Sequence, residues 1–213
     1  MTYTVGIPCY NQSEYVADAI QSALDQSVKC EVIVVNDGST DDSLEIIKRF
    51  PVKVIDQVNK GLSSARNTVI MNATTDYILW LDADDILLEN CVERLQQEKE
   101  DIIAPSFKCF GKDYDRIILQ EKPTIQDFKE ANRIGYCAGV KRDILLEVGG
   151  YSPRMIHGYE DYHLWFDLLK RGKTLKTIPE ILWLYRTKEH SMIHDAQAHH
   201  EELIAQINKD HKI

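Results

Sequence analysis

The sequence predicts an α/β protein: a mostly parallel sheet with helices on both faces. Three observations carry that expectation. Short apolar runs lack the polar alternation of a half-exposed strand. The segments between them repeat their apolar residues at helical spacing. Several runs end in small or acidic residues, as at Asn36-Asp37-Gly38 and Asp82-Ala83-Asp84-Asp85. Strands alternating with helices in this way close into a parallel sheet with right-handed crossovers.

Taken in order, Tyr3–Ile7 reads as a strand broken by Pro8. Val16, Ile20 and Leu24, with Ala19 and Ala23 beside them, give a helical face behind Asn11 or Ser13 as cap. Glu31–Val35 is a strand. Ser39 to Asp42 has near capping-box spacing before a helix that turns Leu44, Ile47 and Phe50 inward. Val52–Ile55 is a third strand, Gly61–Ala73 a third helix and Asp76–Leu81 a fourth strand. Farther on, Glu89–Glu98 reads as helix, Asp101–Pro105 as strand and Lys108–Lys122 as a hairpin or loop excursion. Gly135–Gly139 reads as a short strand, and Asp143–Val148 as a helix stopped by Gly149-Gly150. Glu160–Arg171 is a helix with Leu164, Trp165, Leu168 and Leu169 on one face, ended by Gly172. There is no internal repeat or low-complexity linker, so residues 1–213 are expected to form one domain of two halves, about 1–105 and 106–213.

The 213 residues are 44% hydrophobic and 28% charged, enough for a real core. The formal net charge of -9 weighs against general nucleic-acid binding. Five scattered cysteines (Cys9, Cys30, Cys91, Cys109, Cys137) form no C-x-x-C and read as small buried side chains in a reducing compartment. The opening apolar run is too short for a signal peptide, and no run approaches a membrane span. The expected location is cytoplasmic.

Two acidic stations stand out. Leu81-Asp82-Ala83-Asp84-Asp85 closes the fourth strand, where open α/β sheets bind ligands. Three acids there are costly unless neutralised, and a hard divalent cation would do it. Asp84 is the expected direct ligand, with Asp82 turned to a ribose or to groups around the metal. The second station, Gly158-Tyr159-Glu160-Asp161, opens a helix, where a carboxylate can serve as a general base. Glu160 and Asp161 lie about 100° apart around that helix, so only one can face an acceptor. Asp37 either belongs to a helix-capping turn or accepts from a base N–H. Gly61 lets backbone approach a ligand. Arg66 either reaches a base or phosphate or makes a surface salt bridge. All seven histidines (His157, His163, His190, His194, His199, His200, His211) fall in the last third. His194-Asp195 with His199 and His200 matches no strong zinc spacing, and that stretch reads as a solvated helix.

Together Ile7-Pro8-Cys9-Tyr10-Asn11, Asn36–Asp41, Asn59-Lys60-Gly61, Ala65-Arg66-Asn67, Leu81–Asp85, Gly149-Gly150-Tyr151, Gly158–Asp161 and Tyr185-Arg186 resemble a family-2 glycosyltransferase with the GT-A fold. The match covers nearly the whole chain. The resemblance implies an inverting transfer from a nucleotide-sugar donor, most often a uridine diphosphate sugar, to a glycan or other hydroxyl acceptor. It implies Pro8, Tyr10, Asp37 and Arg66 around the base, Asp82 at the ribose, Mn²⁺ or Mg²⁺ on Asp84, and Asp161 as catalytic base. Asn11, Gly61 and Ala83 join the donor side, and Gly139 and Glu160 the acceptor side. Family members often read Tyr-Arg-x-His after the last strand; here the fourth position is Lys188, with His190 two residues later. Either His190 reaches the metal by a shifted loop, or Lys188 neutralises the diphosphate. The chain lacks the long C-terminal or membrane extensions of many members, which leaves open a peripheral membrane or protein partner. Surface-glycan synthesis is the expected setting, with acceptor loops at Phe107–Arg133 and Met155–Gly158. The alternatives are a catalytically weak nucleotide-sugar binder, or transfer to a protein or modified nucleic acid. A nucleotidyltransferase or dinucleotide oxidoreductase would need a glycine-rich loop after the first strand, where this chain has Pro8-Cys9-Tyr10-Asn11.

Overall fold

The computed structural model describes residues 1–112, 116–189 and 192–212, apart from the side chains of 193 and 194. The first half is β1 (Tyr3–Cys9), α1 (Val16–Leu24), β2 (Glu31–Asp37), α2 (Ser43–Ile47), β3 (Lys53–Gln57), α3 (Leu62–Asn72) and β4 (Tyr77–Trp80). β5 (Ile86–Leu87), α4 (Cys91–Leu95), β6 (Ile102–Gly111), β7 (Ile117–Ile118) and α5 (Ile125–Glu130) follow. The chain then runs through β8 (Gly139–Lys141), α6 (Arg142–Val148), α7 (Glu160–Lys170), β9 (Leu175–Thr187), α8 (Met192–Ala198) and α9 (His200–His211).

One sheet holds the strands in the order β3-β2-β1-β4-β8-β6-β9-β5, with β7 beside β6. β1 pairs in parallel with β2 and β4, and β2 with β3. β8 runs antiparallel between β4 and β6, so β6 and its parallel partner β9 share the direction of β1–β4. The sheet is therefore mostly parallel, and only β5, β7 and β8 run the other way.

Every residue of β1 and β4 is buried, because these central strands are covered on both faces. α1 seals one face through Val16, Ala19, Ile20 and Ala23, the spacing of a single helical stripe. The core continues into the second half through Phe128, Tyr162, Leu164, Trp165, Leu168 and Trp183.

Several elements depart from the sequence reading. β1 runs through Pro8 to Cys9. The Gly6 carbonyl accepts from Leu81 N on the β4 side, and β4 ends at its Gly6 pairing. Pro8, two residues on, faces the same side beyond the ladder, where no N–H is needed. Ser39 caps nothing; its hydroxyl accepts from Asn11 N, and α2 begins at Ser43 without a side-chain cap bond. The strand expected over Gly135–Gly139 lies at Gly139–Lys141. β9 was not anticipated: Pro179 and Glu180 interrupt its pattern. They fall where the pairing with β6 jumps from Pro105↔Ile178 to Ser106↔Ile181, a bulge that tolerates proline. The C-terminal stretch is not fully solvated either, since α9 buries Leu203, Ile207 and His211.

Gly6 shows how closely α3 packs on β1. A Cβ there would sit 2.7 Å from Val69 Cγ1 and 3.0 Å from the Trp80 ring. Gly6→Ala should therefore cost about 1–3 kcal/mol in urea unfolding, and Val69→Ala in the same chain should recover part of it. An unchanged midpoint would contradict this packing.

Candidate active site

Because β1, β2 and β4 are parallel, the segments that follow them open along one sheet edge. They line a cleft of about 640 Å³ that includes Pro8, Tyr10, Asp37, Gly61, Ala83, Asp84 and Lys188. Asp37 is buried at its floor. Its carboxylate accepts from Lys60 N at 3.0 Å, Gly61 N at 2.9 Å and Gln57 Nε2 at 2.7 Å. It therefore pins the loop that starts α3. Gly61 has φ 85°, with nothing within 4 Å of where a Cβ would stand, so the position needs glycine for its backbone. Asn11 does not line the cleft. It clips the β1 loop to the β2 loop, since its Oδ1 accepts from Thr40 N at 2.8 Å.

The three acids after β4 divide by partner. Asp82 receives Arg66 Nη2 at 2.8 Å, and Asp84 receives Lys188 Nζ at 2.5 Å. Asp85 is buried and accepts from Arg186 N at 2.6 Å and from the Tyr136 hydroxyl. Burial, then the charges of Asp84 and Asp82, hold the Asp85 carboxyl well above its usual range. Burial also raises Asp82, to about 6, with Arg66 opposing the shift.

Arg66 corrects the sequence reading most. It is 1% exposed, which rules out the surface salt bridge, and it borders a second cleft. Its Nη1 donates to Glu160 Oε1 at 2.5 Å, across from the bond to Asp82. Trp80, Tyr136 and Tyr151 surround the guanidinium, with ring centroids 5.8, 5.4 and 5.2 Å away. Gly139 is a second correction. It lies inside the sheet, paired with Leu79 and Ile103, and lines neither cleft.

A second cleft of about 480 Å³ adjoins the first and shares Leu62, Asp82, Tyr185 and Met192 with it. Asp161 lines it, at the start of α7. Asn132 Nδ2 and Tyr162 N donate to its two oxygens at 2.9 and 2.7 Å. Burial, then the neighbouring Glu160, pushes its carboxyl up to about 7, while Arg66 and the two donors oppose. Glu160 is 5% exposed and bound to Arg66. Among the described residues, Asp161 is thus the one of the two adjacent acids not held in an ion pair.

His190 lies outside the described residues. Of the histidines weighed for zinc, His199 approaches Asp195 together with His157, and His200 instead hydrogen-bonds the Tyr159 hydroxyl. The His157 and His199 rings stack in parallel, 3.8 Å apart.

The family model for "Glycosyl transferase family 2" matches residues 4–149. The chain belongs to that family. Over 200 residues the chain is 30% identical to the putative teichuronic acid biosynthesis glycosyltransferase TuaG of Bacillus subtilis, covering 87% of this chain and 79% of TuaG. It is 41% identical over 119 residues to glycosyltransferase GlyA of Streptococcus pneumoniae, covering 51% of this chain but only 17% of GlyA. S. aureus TarS in complex with UDP-GlcNAc superposes with a TM-score of 0.73 at 18% identity, over 91% of this chain and 61% of that one. The mannosyltransferase PcManGT from Pyrobaculum calidifontis, in complex with GDP-Man and Mn²⁺, gives 0.71 at 18% identity, over 98% and 63%. The fold is GT-A. Among the described residues no helix is long and apolar enough to cross a membrane.

Sequence reasoning did not single out three residues of the site: Asn132, Tyr136 and Gln12, which lines the first cleft. Asn132 lies in the expected acceptor loop and Tyr136 in the segment read as a short strand, and only the fold brings them to Asp161 and Asp85. Asp161 also carries a stability signature. Its folded-state value near 7 lies above the ordinary 3.8, so its contribution is full below pH 4 and is lost as pH rises through 7. Relative to native protein, Asp161→Asn should gain stability over that window, by at most about 1.4 kcal/mol per pH unit, then level off. A gap that is flat across the window in urea melts would contradict the assignment.

Proposed function

We propose that this family 2 glycosyltransferase moves a sugar from a nucleoside diphosphate donor, a uridine diphosphate sugar, to an acceptor hydroxyl with inversion, in the synthesis of a surface glycan. The observation that carries the reading is the meeting of two clefts at Asp82 and Tyr185, with Asp84 in one and Asp161 in the other. Residues 1–105 act as the donor half and 106–213 as the acceptor half, although Ile156, Tyr185, Lys188 and Met192 also line the first cleft and Leu62, Arg66 and Asp82 the second. TuaG, TarS with UDP-GlcNAc and PcManGT with GDP-Man support the glycan setting and the nucleotide-sugar donor. Five free thiols, four of them buried, accord with a cytoplasmic, reducing setting.

Pro8 and Tyr10 contact the nucleoside, Asp37 accepts from the base N–H, and Gly61 lets the α3 loop approach. Asp82 meets the ribose. Asp84 is the protein ligand for Mn²⁺ or Mg²⁺. Its fit is supported by the Lys188 ammonium, a cation already standing 2.5 Å from it. When bound, the ion offsets charge on the departing diphosphate. Asp161 accepts the proton of the acceptor hydroxyl as that oxygen bonds to the anomeric carbon and the bond to the diphosphate breaks. A carboxyl near pH 7 suits this role, because a general base works best with a value near the operating pH.

Transfer and donor hydrolysis should stop in excess chelator and return with Mn²⁺ or Mg²⁺; full activity in chelator refutes the metal reading. UDP with metal should raise the melting temperature, and Asp37→Ala should remove that shift. The product should carry the opposite anomeric configuration to the donor by NMR. Asp161→Asn should lower turnover by at least ~100-fold with little change in donor affinity, and native turnover should rise with pH to a plateau above about 7. Near-normal transfer by Asp161→Asn would remove the proposed base.

A further inference from the structure

We infer that Lys188 is a resident counter-cation of Asp84, and that it makes metal entry depend on the arrival of the donor's diphosphate. The inference rests on Asp84 being the metal's protein ligand and adds a role for Lys188 that this ligand alone does not imply. The lysine is held by more than one bond. Its Nζ lies 2.5 Å from Asp84 Oδ2 and 3.2 Å from Gln12 Oε1, and 5.0 Å from the centroid of the Tyr15 ring. Three segments thus converge on one ammonium: the end of β4, the β1–α1 loop and the chain just after β9. Both side chains of the pair are 19% exposed, so the pair is partly shielded from solvent.

The Asp84 main chain is fixed separately, because Arg186 Nε donates to its carbonyl at 2.7 Å. An exchange of partners at the carboxylate therefore needs only side-chain motion. Lysine suits that exchange: it is a point charge on a flexible four-carbon stem. Lys188 and Asp84 both line the larger cleft, so a diphosphate bound there comes within the reach of both.

A divalent ion arriving alone must evict the ammonium from Asp84 and leave it facing a second positive charge. A diphosphate offers the displaced ammonium new acceptors and supplies further oxygen ligands. Metal and diphosphate then favour one another, and by linkage the coupling is the same in either direction. Without Lys188 the ion would meet a free carboxylate and bind before the donor.

The test is a titration of the whole chain with Mn²⁺, followed by electron paramagnetic resonance, with and without UDP. Lys188→Met should bind Mn²⁺ alone at least ~5-fold more tightly than native protein, the low end of a typical coupling, and UDP without metal more weakly. Lys188→Arg, which keeps the charge, should stay close to native in both. Asp84→Asn should bind UDP without metal more tightly than native protein, because it frees the ammonium. Unchanged or weaker binding of Mn²⁺ alone by Lys188→Met overturns the inference. If UDP binds no variant, the donor reading fails, while the Mn²⁺ titration still decides whether Lys188 and metal compete for Asp84.

Discussion

The rest of the site hangs on one buried guanidinium. Burying an arginine is expensive unless its charge is met by well-placed acceptors. Arg66 meets that condition with Asp82 on one terminal nitrogen and Glu160 on the other, inside a cage of three aromatic rings. A lysine ammonium lacks the planar fork that serves two carboxylates at once. The three members come from α3, the segment after β4 and the start of α7, so the triad joins the first cleft to the second. Glu160 and Asp161 both line the second cleft, and Glu160 is committed there to Arg66.

The neighbouring residue adds a second tie. Asn67 donates to the Tyr151 carbonyl at 2.9 Å and accepts from Tyr151 N at 2.7 Å. A Cβ on Gly150 would stand 2.2 Å from Asn67 Oδ1, so this close approach requires glycine there. α3 thus grips the chain just after α6 through Asn67 and the start of α7 through Arg66. The remaining acids after β4 are neutralised in different ways. Asp85 is met by the Tyr136 hydroxyl and a backbone N–H, whereas Asp84 is met by a lysine ammonium. That difference separates an acid held by neutral donors from one held by a cation.

Much of this was legible in the sequence. The parallel half follows from apolar strands between helical repeats, and the acids at Asp82–Asp85 and Glu160-Asp161 lie at the ends of elements where chemistry is expected. Boundaries were less legible where one residue type serves two ends. Pro8 looked like a strand breaker because the end of the β4 ladder cannot be seen from β1 alone. β9 was hidden by Pro179 and Glu180, which the bulge absorbs. Arg66 looked like a ligand or surface residue because its partners are 16 and 94 positions away. Asn132 was invisible for the same reason, being 29 positions from Asp161.

The most direct test of the central role of Arg66 is a double-mutant cycle with Glu160, read by equilibrium urea unfolding at pH 7. Arg66→Met should cost about 3–5 kcal/mol, because it leaves two carboxylates without their partner, and Glu160→Gln should cost less, because Arg66 keeps Asp82. The double variant should cost less than their sum by about 0.5–3 kcal/mol. Costs that add to within about 0.5 kcal/mol would contradict the account, because Arg66 and Glu160 would then not depend on each other and the triad would not be what joins the two clefts.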